Sequence, residues 1–453
     1  MSLSRRGTAY AQDALLAKYE LKEQRKAYNK TECPDGWVDF SNAENRFAAN
    51  GILIHFINNH TPFDPKLCRY YQGSRGTQRL RITMANFLNN RFHPHSPVNV
   101  AEITFAAGVT PLTETLTAIL TNPGEGILVG RPIYGSFKTD ITTTTESHLV
   151  YTSFSTTDQF SPSCISAYEA RLLASKEEGI PIRALLICNP HNPLGECYPR
   201  ETLIALLQFC AKYSIHLISD EIYALSIFDP DARKTPFTSI LSIDLQEIIS
   251  PDLVHVLYGT SKDFAAPGLR IGCLISRNTQ IIRATESLAR FHPPSNFSDA
   301  IVAEILEDAA FVDEFLRRSN EGLREMYFLV RNMLDEAGID YYRRGNAGFF
   351  LWVDLSPYLD LEAVGGDGWE TERQLAKEIT DARVDLARGE SYGSETPGWF
   401  RVIFSVERDM VIEGVKRYVM GYFIGDTKSL TDLLRDLGLS TRLNETNAIS
   451  AAI

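Results

Sequence analysis

Residues 257–272 read LYGTSKDFAAPGLRIG. The first three close an apolar run, LVHVLYG at 253–259, and the last three lie in another, RIGCLIS at 270–276. Between the runs is a loop with Pro267, Gly268 and one lysine, Lys262. Taken alone, Lys262 reads most simply as a solvated lysine; the alternative is an amine that holds a cofactor covalently. The two runs belong to a series of seven, with EITFAAG (102–108), GILVGRP (126–132), SHLVYTSF (147–154), RALLICNP (183–190) and IHLISDEIY (215–223). Each is too short for a core helix and is punctuated by Gly, Pro, Ser or Asp. Amphipathic stretches such as PRETLIALLQFCAKYSI (199–215) separate several of them. Strands alternating with helices predict an α/β domain with a mainly parallel seven-stranded sheet. Ligands of such sheets bind at the carboxyl ends of the strands.

The pattern changes near Asn296. Residues 296–338 are long and helical, with charge around an apolar stripe. Then come AGFFLWVDL (347–355), a helix, WFRVIFSV (399–406) and a final helix, the pattern of a smaller α+β domain. The expected division is an N-terminal arm at 1–55 packing on both domains, a large domain at 56–305 and a small C-terminal domain at 306–453. The tail, NETNAISAAI (444–453), is polar and then small, and is expected to be disordered.

Bulk numbers exclude several classes of function. There are 45 basic and 57 acidic residues, net −12, which disfavours nucleic acid and anionic membrane as partners. No apolar stretch is long enough to span a bilayer. The N-terminus, MSLSRRGTAYAQ, lacks the apolar segment of a signal peptide. Seven cysteines at odd spacings suggest neither a disulfide framework nor a zinc site. A reducing, cytoplasmic location is expected, and the Asn-X-Ser/Thr sequons then read as chance matches. His93 and His95 in FHPHSP lack further ligands nearby, so no metal is expected.

Several residues at predicted strand ends have chemistry to offer. Asp220 follows an apolar strand directly, where a carboxylate is costly to bury without a positive partner. Tyr223 lies three residues on. Asn192 sits in NPHNPLGE (189–196) after another strand. In AAGVTPLTETL (106–116) a small-residue turn leads into a helix near Thr110, whose first amides, at Val109 and Thr110, can bind phosphate. Tyr134 in RPIYGSF (131–137) is positioned to stack on a flat ring. Each has a plain structural alternative: a helix cap, a core aromatic, a turn. Together they meet the needs of a pyridoxal 5'-phosphate enzyme. Such an enzyme uses a Schiff-base lysine, an acid at the pyridine nitrogen, donors to the phenolic oxygen, a stacking ring and a phosphate cradle.

The motifs SDEIY (219–223), NPHNPLG (189–195) and SKDFAAPGLRIG (261–272) resemble those of fold-type I pyridoxal phosphate enzymes, the class I/II aminotransferase group. NAENRF (42–47), RRGNAGFFLWVDL (343–355) and PGWFRVIFS (397–405) are similar to elements of 1-aminocyclopropane-1-carboxylate synthase and its relatives. The resemblance runs from about Asp39 to Met420. It implies that Lys262 carries the cofactor as a Schiff base and Asp220 pairs with the ring nitrogen. It also implies that Asn192 and Tyr223 meet the phenolic oxygen, and that Ser261, Arg270 and the amides at Val109 and Thr110 hold the phosphate. Arg401 would bind the substrate carboxylate, with Glu44 close by. A homodimer with shared active sites is implied as well.

Two positions depart from the resemblance. YQGSRG (71–76) places Ser74 where the relatives carry a tyrosine that reaches the neighbouring subunit's site, and Arg75 adds a cation that could meet a second acidic group. Gly259 stands where the relatives often have a phosphate-binding serine. Some members of the synthase-like group resemble fungal carbon–sulfur lyases of secondary metabolism that act on bulky cysteine-derived adducts. The space implied at Ser74 favours that reaction here. Transamination of an amino acid is the alternative, and synthase activity a third.

Overall fold

A computed structural model of the chain describes all residues except 1–2, 12–24, 61–63, 71–72, 155, 230–233, 363–364 and 421–453. The tail read above as disordered lies outside the described residues. A short strand, β1 (Val38–Asp39), precedes the seven predicted runs, and each of these forms a strand. They are β2 (Ile103–Ala106), β3 (Gly126–Gly130), β4 (His148–Thr152), β5 (Ile182–Cys188), β6 (His216–Asp220), β7 (Val254–Gly259) and β8 (Gly272–Ser276). They build one sheet in the order β2-β8-β7-β6-β5-β3-β4. Only β8 runs against its neighbours. Strand β7 is buried along its length and β5 everywhere but at Arg183, as in a parallel sheet covered on both faces.

The parallel register brings Cys188 beside Asp220 and Asp220 beside Leu257. The carboxyl ends of β5, β6 and β7 therefore finish at one level. The loops that follow them carry Asn192, Tyr223 and Lys262.

The second domain holds β9 (Phe350–Asp354), β10 (Val384–Asp385), β11 (Ala387–Arg388) and β12 (Trp399–Ile403). Strands β11, β12 and β9 form an antiparallel sheet that sets Arg401 opposite Ala387 and Trp352. The N-terminal arm joins this domain: β1 pairs with β10, and the Ile403 N–H donates to the Phe40 carbonyl. Farther up the arm, the Tyr10 hydroxyl donates to the Thr143 carbonyl of the large domain.

The long helical stretch is two helices, Asn296–Glu307 and Ala309–Ala337. Asp308 breaks it by capping the second helix, its carboxylate accepting from the Phe311 N–H at 2.9 Å. The first helix packs on the large domain, where the Asp299 carboxylate accepts from the Thr77 N–H and hydroxyl. Among the described residues no helix is long and apolar enough to cross a membrane, and no cluster of His, Cys, Asp or Glu is fit to hold a metal ion.

Candidate active site

One cavity of about 620 Å³ opens where the strand ends meet the small domain. Lys262, Asp220, Tyr223, Asn192, Tyr134, Val109, Thr110, Ser261, Arg270, Arg401 and Glu44 all line it. They come from segments up to 357 residues apart in sequence, Glu44 to Arg401.

One corner is a cradle of backbone. Gly108, at φ +105, caps the helix Val109–Leu120 and turns its first amides outward. A Cβ on Gly108 would lie 2.5 Å from Arg270 Nη2, and one on Gly272 would lie 2.4 Å from the Gly108 carbonyl carbon. These two glycines thus let the helix start, Arg270 and β8 converge. Arg270, at φ +54, donates to the Ala107 carbonyl at 3.0 Å across this corner. Amides, a helix dipole and a guanidinium together suit a phosphate. The departure at Gly259 has a steric cause. A Cβ there would sit 2.6 Å from the Ile271 carbonyl oxygen, so a serine does not fit.

At the floor, Asp220 is 5% exposed and accepts from the Ile222 N–H at 3.2 Å. Burial pushes its carboxyl up to about 7, with that N–H and the Lys262 amine opposing. Lys262 Nζ donates to the Ala43 carbonyl at 2.6 Å. Burial and the nearby Arg401 lower its amine to about 8, against the pull of Glu44 and Asp220. Tyr223 is buried edge-on to Phe349 and Phe350. Tyr134 packs edge-on to Phe137.

The small-domain wall presents Arg401, 3% exposed. Its Nη1 donates to Asn192 Oδ1 at 3.1 Å and its Nη2 to the Ser41 carbonyl at 2.6 Å. Its Cζ lies 4.9 Å from the Tyr392 ring centre. Among the described residues its Nε has no partner. A buried guanidinium with a spare donor and no carboxylate of its own is arranged to receive one.

Ser74 and Arg75 lie outside this cavity in their own chain. Within that chain Arg75 Nη1 forms an ion pair with Glu286 at 3.0 Å. The Phe105 N–H bond to the Arg75 carbonyl and the Thr77–Asp299 bonds pin the loop in that place.

Sequence reasoning missed other cavity residues. The Ala43 and Ser41 carbonyls, which receive Lys262 and Arg401, carry no side-chain signal. Tyr392 ends a single 3-10 turn, Gly389–Tyr392, in a stretch, GESYGSE (389–395), that has no periodicity. Asp140 is a third acid in the cavity beside Asp220 and Glu44, pushed up to about 7 by burial and by Asp220; it reads in sequence as one charge in a short helix.

The residues present fit pyridoxal 5'-phosphate. The phosphate corner, the buried acid, the flanking tyrosines and the amine share one cavity of sufficient size.

Residues 35–417 match the family described as aminotransferase class I and II. The chain is 33% identical to 1-aminocyclopropane-1-carboxylate synthase 6 of Oryza sativa, over 74% of this chain and 60% of that protein's length. It is 33% identical to the "Probable aminotransferase aclI" of Aspergillus oryzae, over 84% of this chain and 89% of that one. It is 31% identical to the "Probable aminotransferase gliI" of Aspergillus fumigatus, over 78% and 81% respectively. In fold it is similar to a mutant aspartate aminotransferase of Thermus thermophilus, with a TM-score of 0.70 at 20% identity over 93% of this chain and 99% of that one. It is also similar to the kynurenine aminotransferase of Pyrococcus horikoshii, with a TM-score of 0.72 at 17% identity over 94% and 98%. The architecture is thus the two-domain fold type I of pyridoxal phosphate aminotransferases.

Proposed function

The chain belongs to the class I and II aminotransferase family, and from that premise we propose that it is a carbon–sulfur lyase acting on a cysteine-type amino acid with a bulky sulfur substituent. Pyridoxal 5'-phosphate is its cofactor. When bound, the cofactor supplies an electron sink that acidifies the substrate's α-proton.

This chain's own groups do the rest. Arg401 receives the α-carboxylate through a paired fork, held in its plane by Asn192 and the Ser41 carbonyl. The Lys262 amine, lowered to about 8 by burial, is in good part neutral near pH 8 and can take the α-proton. With the cofactor bound, Asp220 would keep a proton at the ring nitrogen, and Asn192 and Tyr223 would meet the phenolic oxygen. In elimination the α-carbon electrons form a double bond as the carbon–sulfur bond breaks. The thiolate leaves and takes a proton, and water completes the products: thiol, pyruvate and ammonium.

The observation that carries this reading is the cavity. At about 620 Å³ it lies mid-range for pockets that bury a drug-sized molecule, a volume that suits the cofactor together with an amino acid carrying a bulky substituent. Serine at position 74 adds space if a second copy brings that loop to the site, so a homodimer with shared sites is part of the proposal. Transamination is the second reading, supported by the names of the aclI and gliI relatives. The test is a panel of S-substituted cysteines supplied without a keto-acid acceptor. Elimination yields thiol and pyruvate in equal amounts. Turnover only with an acceptor, giving the keto-acid of the intact substrate, would replace the lyase with an aminotransferase.

A further inference from the structure

Asp263 follows Lys262 in the chain, is 1% exposed and lies outside the cavity lining. Its Oδ2 accepts from the Leu225 N–H at 3.0 Å and from the Tyr258 hydroxyl at 3.1 Å. Its Oδ1 accepts from the Ser226 hydroxyl at 2.6 Å. Leu225 and Ser226 belong to the turn that begins at Tyr223, closed by the Ser226 N–H on the Tyr223 carbonyl at 3.0 Å. Tyr258 is the buried penultimate residue of β7, packed on Phe87 and Phe92. The Lys262 turn is closed in the same manner, the Ala265 N–H donating to the Lys262 carbonyl at 3.0 Å. One carboxylate therefore joins the end of β7, the Lys262 turn and the Tyr223 turn.

Burying a carboxylate is costly, and burial pushes this one up to about 7 against three donors that come from the Tyr223 turn and the end of β7. It does not line the cavity and so is not placed to touch cofactor or substrate. We infer that Asp263 is a positioning residue, which fixes the Lys262 amine relative to the Tyr223 phenol across the cavity. The inference rests on the reading of Lys262 and Tyr223 as the residues that face the cofactor. The role is geometric, so an amide should serve. An asparagine oxygen can accept from Leu225 and Tyr258 while the Ser226 hydroxyl turns to accept from the amide nitrogen.

The test compares holoenzymes of Asp263→Ala, Asp263→Asn and Ser226→Ala with the unaltered protein. Three quantities are read: thermal midpoint, kcat and KM separately, and the pH midpoint of the bound cofactor's visible absorbance. Asp263→Ala is expected to lower kcat about 100-fold, the cost of roughly 1 Å of misplacement, and to leave KM within about threefold because Arg401 is untouched. It should move the spectral midpoint by about half a unit or more, because the environment of the amine changes. Ser226→Ala should show the same two effects at smaller size, and it carries the test if Asp263→Ala does not fold. Asp263→Asn should return near the unaltered values. A lowered thermal midpoint with kcat and spectrum unchanged in Ser226→Ala would make Asp263 a purely structural residue and overturn the inference. An asparagine variant no better than alanine would overturn it too. Failure of the underlying reading looks different: the unaltered protein would then give no borohydride-fixed adduct on Lys262.

Discussion

Arg401 Nη1 donates to Asn192 Oδ1 at 3.1 Å, across the seam between the small domain and the loop after β5. The bond couples two tasks. Asn192 faces the cofactor's phenolic oxygen in the proposed site, and Arg401 faces the substrate carboxylate. Removing Asn192 should disturb both, whereas a lysine at position 401 keeps the cation and loses only the fork.

Asn192→Ala should therefore raise KM for the amino acid and weaken cofactor retention together. A hydrogen bond to a charged group contributes about 1.5–3 kcal/mol, or roughly 10- to 150-fold in KM. Arg401→Lys should raise KM by a similar factor and leave cofactor content near one per chain, since a lysine lacks the planar fork. Steady-state kinetics beside a cofactor assay check both. A normal KM in Arg401→Lys would place the carboxylate elsewhere.

Asp220→Asn should keep the fold and lose most turnover. An amide cannot hold the ring nitrogen's proton by charge, so the electron sink fails. Near-normal kcat in this variant would mark the acid as structural.

Stability should carry the signature of the same residue. The folded Asp220 carboxyl is pushed up to about 7 by burial, whereas in the unfolded chain it titrates at about 3.9. Between those values the folded protein holds a proton that the unfolded chain has released, so this group's contribution to stability falls as pH rises through about 4 to 7. Cofactor-free protein should then melt lower at pH 8 than at pH 5.5, and Asp220→Asn should shrink the difference. Equal pH slopes for the two proteins in thermal melts would contradict the assignment.

Most of this site was legible in the sequence because its residues sit at strand ends. Asp220 and Lys262 each close an apolar run or follow one closely, and a parallel sheet brings such ends to one level whatever their separation in the chain. What was not legible depends on backbone. The carbonyls of Ser41 and Ala43 have no residue signature, and the arm's pairing of β1 with β10 rests on two residues, too few for a period. The break at Asp308 was hidden because an aspartate on a charged helix face and an aspartate cap look alike in one dimension. The Arg75 ion pair was hidden for a related reason: its cation was visible, but Glu286, 211 residues away, was not.

Position 74 offers a test between the two proposed reactions. Ser74→Tyr restores a ring that buries about 150–250 Å². If Ser74 meets the neighbouring copy's cavity, KM for a bulky S-conjugate should rise at least about tenfold while a small amino acid is spared. Arg75→Ala should change both substrates alike, because Arg75 is engaged by Glu286. Parallel changes for the two substrates in Ser74→Tyr would remove the steric support for a lyase.

The central claim is that Lys262 carries the cofactor, and one measurement tests it directly. The purified protein is treated with borohydride, digested and examined by mass spectrometry. A single pyridoxyl group on Lys262 is the predicted result. An unmodified Lys262, in protein that contains the cofactor, would contradict the account.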